Sequence, residues 1–510
     1  MIERPRSGTA GPRRRSAGAT ALVAAALATL LPACAPSRRP SIVLVTIDTL
    51  RADHLGCYGY GRPVSPRIDA LARESTLFEA ARTTLPRTTQ SVASILTGRL
   101  PKSHGARGLF TRLPETNTTL AEILKRDGFD TAAFVSNTFL RPRQGFEQGF
   151  DLYDNPEDRW DADSAAAITA AAVRWLDARP ADRPFFLWVH YLDPHWLYEP
   201  PAPWDRAFDP GFDRPFTLYD DLAAGRLTKG QVIFGDVVDE AQARHVVALY
   251  DGEIARTDAA AGALFDRLAA VDGPVLTLLT SDHGESLGEH GYHYAHGEYL
   301  YEEGLRIPLI IRYPGVVAAG AREQGAALNI DIAPTILALA GIPGMQGVEG
   351  RPLFTPLGGR AGATVTAARG RDVTWAESDY QLIHPENPRY HIPGPRGRWS
   401  AASDGRHKLI HIPRPGGEFL ELYDLAADPS ETTNLAADPA LAGVRARLMR
   451  ALLEFADYGP STGTPGGPIP GGLPGAGARP GAAAPGEESD PTRDLPPEEI
   501  ERLRSLGYIN

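Results

Sequence analysis

The stretch that decides the fold is residues 41–59, SIVLVTIDTLRADHLGCYG. Its first seven residues form an apolar run rich in β-branched side chains, which is typical of a strand buried on both faces. The run ends at Asp48. In open α/β sheets, ligand-bearing residues lie just past the carboxyl ends of the strands, so Asp48 is the first candidate functional residue.

Similar strand-like runs recur along the chain and alternate with helical stretches. The runs are 131–136, 184–191, 274–284 and 307–315, and the helical stretches are 66–74, 90–96, 119–126, 162–178 and 241–270. This alternation predicts an α/β fold with a doubly wound, mostly parallel sheet. Polar residues again mark strand ends, with Asp193 and His195 after one run and Asp282-His283 within another.

The composition excludes several classes of protein. The chain has 510 residues, with 52 Lys and Arg against 63 Asp and Glu, a formal charge of −11 and only two cysteines. An acidic chain without a long basic run is not expected to bind nucleic acid. Two cysteines cannot supply a disulfide framework or a Cys-rich zinc module.

The N-terminus has the features of an export signal. Several arginines precede an apolar run at 19–31, which is too short to span a bilayer, and LPAC follows at 31–34. This pattern resembles the bacterial lipoprotein signal, so we expect residues 1–33 to be removed and Cys34 to be lipidated. An ordinary cleaved signal peptide is the alternative. Either predicts an exported protein, and lipidation would hold it on a membrane, in the periplasm or at the cell surface.

Composition divides the rest of the chain. We expect a catalytic domain at 40–370 and a smaller antiparallel α+β subdomain at 371–457, because short β-like pieces and one helix replace the alternation there. Residues 458–488 are a linker, since 459–486 contain ten Gly and seven Pro and cannot bury a core. Residues 489–510 regain an amphipathic helical pattern.

Two kinds of chemistry-bearing residue stand out. Asp48, Asp282 and His283 combine carboxylate and imidazole ligands, a set that suits a divalent metal. Between them lies RTTQSVASILTGR at 87–99, a helix start with hydroxyls at its N-terminal end. A hydroxyl there could attack an oxyanion ester while the helix stabilises the charge, although Ser and Thr are also ordinary helix caps.

Together these segments resemble the sulfatase family of the alkaline phosphatase superfamily. The resemblance extends from about Ser41 to Tyr458 and includes TGRLPKSHG, FLWVHYLDPHWLYEPP, TSDHGESLGEHGYHYAHGEYLYEEGLRIPLIIRYPG, NIDIAPTILALAGI and FLELYDLAADPSETTNLA. It implies a large α/β domain followed by a smaller C-terminal one, and a hydrolase of phosphoric or sulfuric esters.

The chain departs from the family pattern at its active-site positions. Sulfatases carry Cys or Ser nine residues before the Thr of Thr-Gly-Arg, and that residue is converted to formylglycine. Here this position is Thr88, which cannot be converted. The expected active-site lysine and histidine fall on Ser136 and Thr138, a second lysine falls on Gly297, and the second Asp of the usual pair is Thr49.

These departures resemble instead the threonine-nucleophile branch, which includes phosphoethanolamine and phosphoglycerol transferases and related phosphodiesterases. The resemblance implies one divalent ion, Zn, Mn, Mg or Ca, and two histidines that contact the substrate or protonate the leaving group. The implied metal ligands are Asp48, Thr88, Asp282 and His283, and the implied catalytic residues are Thr88, His195 and His296.

Other polar residues near these motifs are weaker candidates. His190, His290 and His293 are each better explained as hydrogen-bonded packing residues, and His104 as a structural one. Asp193 would suit a second metal, but residue 197 is Leu where that site would need a histidine. The sequence therefore predicts one metal.

The predicted function is hydrolysis of phosphate esters through a covalent Thr88 ester. Sulfate-ester hydrolysis without formylglycine and headgroup phosphotransfer are alternatives, and a catalytically silent, surface-anchored binding protein is a third. The substrate is expected to be a small-molecule, glycan or lipid-headgroup ester. Aromatic residues within 196–235 are expected to line or cover its pocket.

Overall fold

The computed structural model describes residues 39–155, 164–355, 365–379, 387–389, 392 and 397–455. The strands are β1 (Ser41–Ile47), β2 (Thr76–Phe78), β3 (Ala81–Arg82), β4 (Asp130–Val135), β5 (Leu152–Asp154), β6 (Phe185–Tyr191), β7 (Val275–Ser281), β8 (Ser286–Leu287), β9 (His293–Ala295), β10 (Leu309–Arg312), β11 (Ala321–Glu323), β12 (Ala327–Leu328), β13 (Thr374–Glu377), β14 (Ser400–Ser403), β15 (His407–Arg414) and β16 (Gly417–Asp424).

The helices lie between these strands and after the last one. They are α1 (Pro66–Arg73), α2 (Thr88–Thr97), α3 (Pro101–His104), α4 (Leu120–Arg126), α5 (Ser164–Ala178), α6 (Leu218–Ala223), α7 (Lys229–Phe234), α8 (Glu240–Ala269), α9 (Glu302–Leu305), α10 (Ile332–Ala340) and α11 (Ala442–Phe455).

The main sheet has the strand order β11-β2-β10-β7-β1-β6-β4-β5. Strands β7, β1, β6, β4 and β5 are parallel, whereas β10 runs antiparallel to both of its neighbours. This arrangement confirms the expected α/β fold with a mostly parallel sheet. The direction of β10 was not visible in the sequence, because an apolar run does not encode strand direction.

Strand β1 lies at the centre of this sheet and is buried on both faces, as its composition predicts. Ile42 and Leu44 pack on one face in the core that includes α2 and α10. Val43 and Val45 pack on the other face with α5 and α8. The period of two along a strand assigns alternate residues to the two cores.

The strand register brings the candidate residues to one edge. Ile47 pairs with Tyr191 of β6 and with Ser281 of β7, so three parallel strands end at the same level. The backbone N–H of Asp48 still donates to the Tyr191 carbonyl, at 2.9 Å. Asp48 and Asp282 therefore leave adjacent strands side by side.

A second sheet confirms the expected small antiparallel layer near the C-terminus. Strands β13 to β16 pair in chain order and antiparallel. Leu409 and Leu422 on one face pack against Leu448 and Leu452 of α11. The apolar side chains of α11 recur at helical spacing, which explains why this segment forms a helix against the sheet.

Several predicted segments lie outside the described residues. They are the signal at 1–33 with Cys34, the linker at 458–488 and the C-terminal helix at 489–510. These predictions, and the division of the chain at residue 370, stay predictions. Among the helices that the structure describes, none combines the length and the apolar character needed to cross a bilayer.

Candidate active site

Asp48 is completely buried, and its two carboxylate oxygens have different surroundings. Oδ2 accepts a hydrogen bond of 2.7 Å from the Asn137 amide and lies 3.6 Å from His190 Nε2. Oδ1 has no hydrogen-bond partner among the described residues. The next residue, Thr49, has φ +53°, a costly conformation for a β-branched residue that turns the chain sharply at the strand end.

Asp282 presents one free oxygen toward the same point. Its Oδ1 accepts from the backbone N–H groups of His283, at 2.9 Å, and Thr49, at 3.3 Å. Its Oδ2 has no hydrogen-bond partner among the described residues. That oxygen lies 3.3 Å from His283 Nε2. The turn after β7 therefore fixes this carboxylate through backbone donors and leaves one oxygen for a ligand.

The tautomer of His283 follows from its hydrogen bond. Its Nδ1 lies 3.0 Å from the Gly284 carbonyl, which can only accept, so Nδ1 carries the proton. Nε2 then presents a lone pair, 3.3 Å from Asp282 Oδ2 and 3.8 Å from Asp48 Oδ1. A lone pair facing two carboxylate oxygens is the arrangement of a metal site.

These three residues fit a divalent cation. Their ligand atoms lie within 4.8 Å of one another and all three side chains are buried. Burial raises the pKa of Asp282 to about 6, and burial together with the Asp282 and Glu285 charges raises the pKa of Asp48 well above its ordinary value. A buried carboxylate oxygen that accepts no hydrogen bond costs free energy, and a cation bound to Asp48 Oδ1 and Asp282 Oδ2 would offset that cost. Asp48, Asp282 and His283 could therefore hold a metal.

Thr88 lies beside this cluster at the first position of α2. Its Oγ1 is 3.3 Å from His283 Nε2, and the hydroxyl is close enough to Asp48 to favour the ionised carboxylate. The side chain is buried. First-turn N–H groups of a helix have no partner within the helix and attract negative charge. An oxyanion next to Thr88 would lie in that field.

Hydrogen bonds of Ser91 fix α2 against the end of β7. The Ser91 hydroxyl donates to the Asp282 carbonyl at 2.6 Å. It also accepts from Thr83 at 3.0 Å and from the Asn329 amide at 2.9 Å. Its hydrogen-bonding capacity is used in full, so the distance between Thr88 and the carboxylate cluster is set by a rigid contact.

His296, Glu285 and Tyr198 form a buried chain of polar groups next to the cluster. His296 Nδ1 lies 2.8 Å from Glu285 Oε1, and the Tyr198 hydroxyl donates to Glu285 Oε2 at 2.7 Å. His296 Nε2 is buried without a hydrogen-bond partner among the described residues. The ring centroids of His296 and His283 are 4.3 Å apart. Nε2 is therefore available for proton transfer at the edge of the site.

Burial governs the protonation of this chain. It raises the pKa of Glu285 to about 7, and it holds the pKa of His296 well below its ordinary value, with the charges of His283 and Arg87 acting in the same direction. His195 is adjacent, with its ring centroid 5.2 Å from that of His296. Its Nδ1 donates to the Trp196 carbonyl at 2.6 Å, and burial lowers its pKa to about 3.

Aromatic residues pack next to the buried polar groups of Tyr198, Glu285 and His296. Trp196 stacks on Tyr294 with centroids 4.8 Å apart and meets Tyr219 edge-on at 5.2 Å. Trp196 is only 4% exposed and Tyr198 is 0% exposed. Trp196 and Tyr198 are therefore buried packing residues next to Glu285. They do not form an open aromatic surface.

The weaker candidates have contacts of their own. His190 Nδ1 lies 2.7 Å from the Thr46 hydroxyl. His290 stacks on Tyr301, His293 Nδ1 lies near the Ile233 carbonyl, and His104 contacts Ser94 behind α2. Asp193 accepts from Ser164 and pairs with Arg256. His190 also lies next to the cluster, with its Nε2 3.6 Å from Asp48 Oδ2.

Four polar residues of the site were not predicted as functional. Asn137 follows β4 at the same sheet edge, so the rule that selected Asp48 could also have found it. Glu285 lies two residues after His283. Arg87 and Lys229 add positive charge that lowers the pKa of His296 and His195. Arg87 could have been found as the residue next to Thr88, whereas Lys229 is distant in sequence from every motif and is brought close by tertiary structure.

A mostly parallel sheet that ends in a buried metal-type cluster beside a helix N-terminus is the architecture of the alkaline phosphatase superfamily, and the protein is an ester hydrolase of that superfamily. Within it, the sulfatase family model matches residues 40–342, more than half of the chain, and a model of the N-sulphoglucosamine sulphohydrolase C-terminal region matches 288–457. The chain belongs to the sulfatase family.

Known relatives differ in their substrates. The N-acetylglucosamine-6-O-sulfatase of Bacteroides thetaiotaomicron is 25% identical and aligns over 82% of this chain and 86% of its own length. The multifunctional alkaline phosphatase superfamily protein PehA of Trinickia caryophylli is 27% identical, with 81% and 95% covered. The phosphonate monoester hydrolase structure of Agrobacterium radiobacter superposes with a TM-score of 0.65 at 23% identity, covering 81% and 95%.

Proposed function

We propose that the protein hydrolyses esters of a tetrahedral oxyanion through a covalent ester on Thr88. The supporting observation is the position of Thr88 Oγ1, 3.3 Å from His283 Nε2 and at the N-terminus of a buried helix. The neighbouring oxygens Asp48 Oδ1 and Asp282 Oδ2 have no donors among the described residues. In the described part of the chain, Thr88 is the hydroxyl residue within hydrogen-bond distance of His283 Nε2.

A divalent cation held by Asp48, Asp282 and His283 would lower the pKa of a coordinated hydroxyl and stabilise developing negative charge. In the first step, Thr88 Oγ1 forms a bond to phosphorus or sulfur as the ester oxygen departs. His296 takes the Thr88 proton at Nε2 and passes it to the departing oxygen, while Glu285 orients the imidazole. In the second step, a water oxygen bonds to phosphorus or sulfur and the bond to Thr88 Oγ1 breaks, while His296 takes a proton from the water and gives it to Thr88 Oγ1.

The nature of the central atom is the finer part of the proposal. A threonine nucleophile in place of a formylglycine precursor favours phosphate or phosphonate esters, and the phosphonate hydrolase shares the fold. Sulfate esters are the second candidate, since the chain belongs to the sulfatase family and aligns with a glycan 6-O-sulfatase along most of its length. We propose phosphoester or phosphonate hydrolysis first and sulfate-ester hydrolysis second.

Turnover of model esters by the purified protein distinguishes these two candidate functions. We expect Thr88→Ala to abolish hydrolysis of p-nitrophenyl phosphate, bis-p-nitrophenyl phosphate or p-nitrophenyl sulfate. Thr89→Ala is the matched control, because the neighbouring Thr89 hydroxyl donates to the Leu109 carbonyl instead. Activity on the sulfate alone selects the second candidate. Transfer of the group to an added alcohol in place of water would identify a phosphotransferase.

A trapped intermediate tests the nucleophile directly. Rapid acid quench during turnover, followed by peptide mass spectrometry, should find one phosphoryl or sulfuryl group on the peptide that contains Thr88. Turnover that persists in Thr88→Ala would contradict the mechanism. A protein that binds no metal and cleaves no ester on a broad panel would instead be a silent binding protein.

We also propose that the protein is exported and anchored to a membrane through Cys34. The support is the basic start, the short apolar run and the LPAC sequence at 31–34. Fractionation and intact mass measurement of cells that express the full chain should find a lipid-modified protein with the membranes, whereas Cys34→Ser should lack the lipid. A membrane-bound protein without a lipid on Cys34 would overturn the anchoring proposal.

A further inference from the structure

A buried arginine lies directly before the proposed nucleophile. Arg87 is 5% exposed, and its Nε donates to Asp379 Oδ2 at 3.1 Å. Among the described residues, the guanidinium of Arg87 has its hydrogen-bond partner at Nε, in Asp379. The two terminal amino groups of the side chain are therefore available to another acceptor. Arginine presents such groups as a planar fork that matches the oxygens of a phosphate or similar anion.

Gly297 determines where this guanidinium lies. A Cβ on Gly297 would be 2.3 Å from Arg87 Nη2, 2.4 Å from Cζ and 2.5 Å from Nε. The guanidinium thus packs against the backbone of the residue that follows His296, and only glycine leaves room for it. Gly297 also has φ +98°, which favours glycine, and its carbonyl accepts from the Asp379 N–H at 2.8 Å.

Gly297 is also the position where the family resemblance led us to expect a lysine. In this chain the cation at that backbone position comes from the start of α2 instead. Arg87 and Thr88 are consecutive, so the backbone holds the cation and the hydroxyl in one fixed relation. A second cation, the half-buried Lys229, lies near enough to act electrostatically on Glu285 and His296.

The charges of the site leave a role for these cations. Asp48, Asp282 and Glu285 are acidic groups around the point where an anionic substrate must bind. Asp379 is fully buried and pairs with Arg87 through Nε. Arg87 is the residue that caps the N-terminus of α2, directly before Thr88, so its terminal amino groups could bind an anion that is attacked by Thr88.

We infer that Arg87, held against Gly297, binds the non-bridging oxygens of the group that is transferred to Thr88. The inference rests on the proposed function, because it assigns the anion-binding residues of the same site. It requires that residue 297 has no side chain, and it predicts that the protein binds the inorganic product anion. Both can be measured without turnover.

Calorimetric titration of the metal-loaded protein with inorganic phosphate and inorganic sulfate is the primary test. Arg87→Gln should weaken binding of the preferred anion about 10- to 100-fold, as expected for loss of charge-assisted hydrogen bonds. Arg82→Gln is the matched control, since Arg82 is equally buried and pairs with Glu302 at 2.9 Å. The control should retain the affinity, and metal content should be unchanged in both variants.

Two further variants keep the inference testable if Arg87→Gln does not fold. Arg87→Lys keeps a charge opposite Asp379 but loses the fork, so anion affinity should fall about tenfold. Gly297→Ala leaves every charge in place and should displace the guanidinium, which predicts a loss similar to that of Arg87→Gln. Thermal unfolding and metal content identify folded variants in each case.

The outcomes for the inference and for the proposed function are distinct. Unchanged anion affinity in folded Arg87→Gln or Arg87→Lys, or no anion binding by the unmodified protein, overturns the inference. Arg87-dependent anion binding without turnover of any ester supports the inference and contradicts the proposed function. Where turnover is present, Arg87→Gln should lower kcat/KM, with the product anion losing potency as an inhibitor by a similar factor.

Discussion

At the scale of single residues, the Glu285–His296 pair offers the sharpest test of catalysis. Glu285→Gln should lower kcat by about 10²-fold, because general acid–base catalysis typically contributes about 10²–10⁴ and the amide cannot orient and polarise the imidazole as a carboxylate does. Steady-state kinetics with the best p-nitrophenyl ester measures this. Tyr198→Phe removes the other hydrogen bond to Glu285 and should have a smaller effect.

A double-mutant cycle shows whether Glu285 acts through His296. In a His296→Ala background, Glu285→Gln should cause little further loss of kcat, because groups that act as a unit are not additive. Fully additive losses would mean that Glu285 contributes by another route, and the hydrogen bond of 2.8 Å would then be structural.

His104 predicts a dependence of stability on acid pH. Burial lowers its pKa from about 6.5 to about 3, so below pH 6.5 the unfolded chain takes up a proton that the folded protein does not. Its contribution to the free energy of unfolding is therefore fully present above pH 6.5 and is lost progressively down to about pH 3. At pH 5 the loss is about 2 kcal/mol relative to pH 7.5.

Urea unfolding of the unmodified protein and of His104→Gln at both pH values isolates this effect. Glutamine can still donate to Ser94, which lies 3.1 Å from His104 Nε2, but it does not titrate. The stability difference between pH 7.5 and pH 5 should be about 2 kcal/mol smaller in the variant. An equal pH dependence in both proteins would show that His104 is protonated in the fold.

The residues of the candidate site fall into two groups, those that could be predicted from the sequence and those whose roles appear only in the fold. Asp48, Asp282 and His283 could be selected from sequence because they follow buried strands, and the register of β1 with β7 then places them together. Arg87 and Glu285 could not be assigned in this way. Their roles depend on Gly297 and His296, which reach them through the hairpin of β8 and β9 and the turn after it.

At the scale of elements, α2 is the part whose position matters most, since it carries Thr88. Gly98 ends this helix with φ +64°, and a Cβ there would be 2.5 Å from Val348 Cγ2. Gly341 ends α10 with nearly the same φ, +69°, and a Cβ there would meet nothing within 4 Å. Both glycines thus adopt a left-handed backbone conformation, but only Gly98 also lacks space for a side chain.

Alanine substitutions at these two caps should differ in stability. Gly341→Ala should cost about 1–2 kcal/mol for the left-handed conformation alone. Gly98→Ala should cost roughly 2–4 kcal/mol, because overpacking against Val348 is added. Denaturant unfolding measures both, and Gly98→Ala combined with Val348→Ala should recover part of the loss. Equal costs at the two positions would show that Val348 moves aside freely.

Five strands and five helices of the large domain were predictable, because each shows an apolar run or a helical pattern in the sequence. The β1 run was predicted at its observed bounds, and the helix predicted at 241–270 is observed as Glu240–Ala269. The helix predicted at 90–96 begins earlier, at Thr88, and therefore includes the proposed nucleophile in its first turn. Short strands such as β5, β8 and β11 were missed, since two or three residues cannot show a period.

At the scale of the whole molecule, the C-terminal sheet contributes to the candidate site. Asp379 follows β13 and pairs with Arg87, and the Glu377 N–H donates to the Thr84 carbonyl at 3.0 Å. The small antiparallel layer thus reaches the loop that leads into α2. Residues after β13 therefore contact the candidate site, although its metal-type ligands all lie before residue 284.

Lys408 of β15 provides the last prediction, because it joins the two layers through a buried ion pair. It is 1% exposed, and its Nζ lies 2.7 Å from Glu431 and 3.1 Å from Glu302 of α9. Lys408→Met should lower the free energy of unfolding by about 3–5 kcal/mol, since Glu431 loses its buried partner and Glu302 keeps only Arg82. Arg406→Met on the exposed Arg406–Asp424 pair should leave unfolding unchanged within error.

Adding Glu431→Gln to Lys408→Met should restore part of the loss, because it removes one uncompensated charge. A further loss in that double variant would show that Glu431 stabilises the fold through its contact with the Glu302 N–H instead.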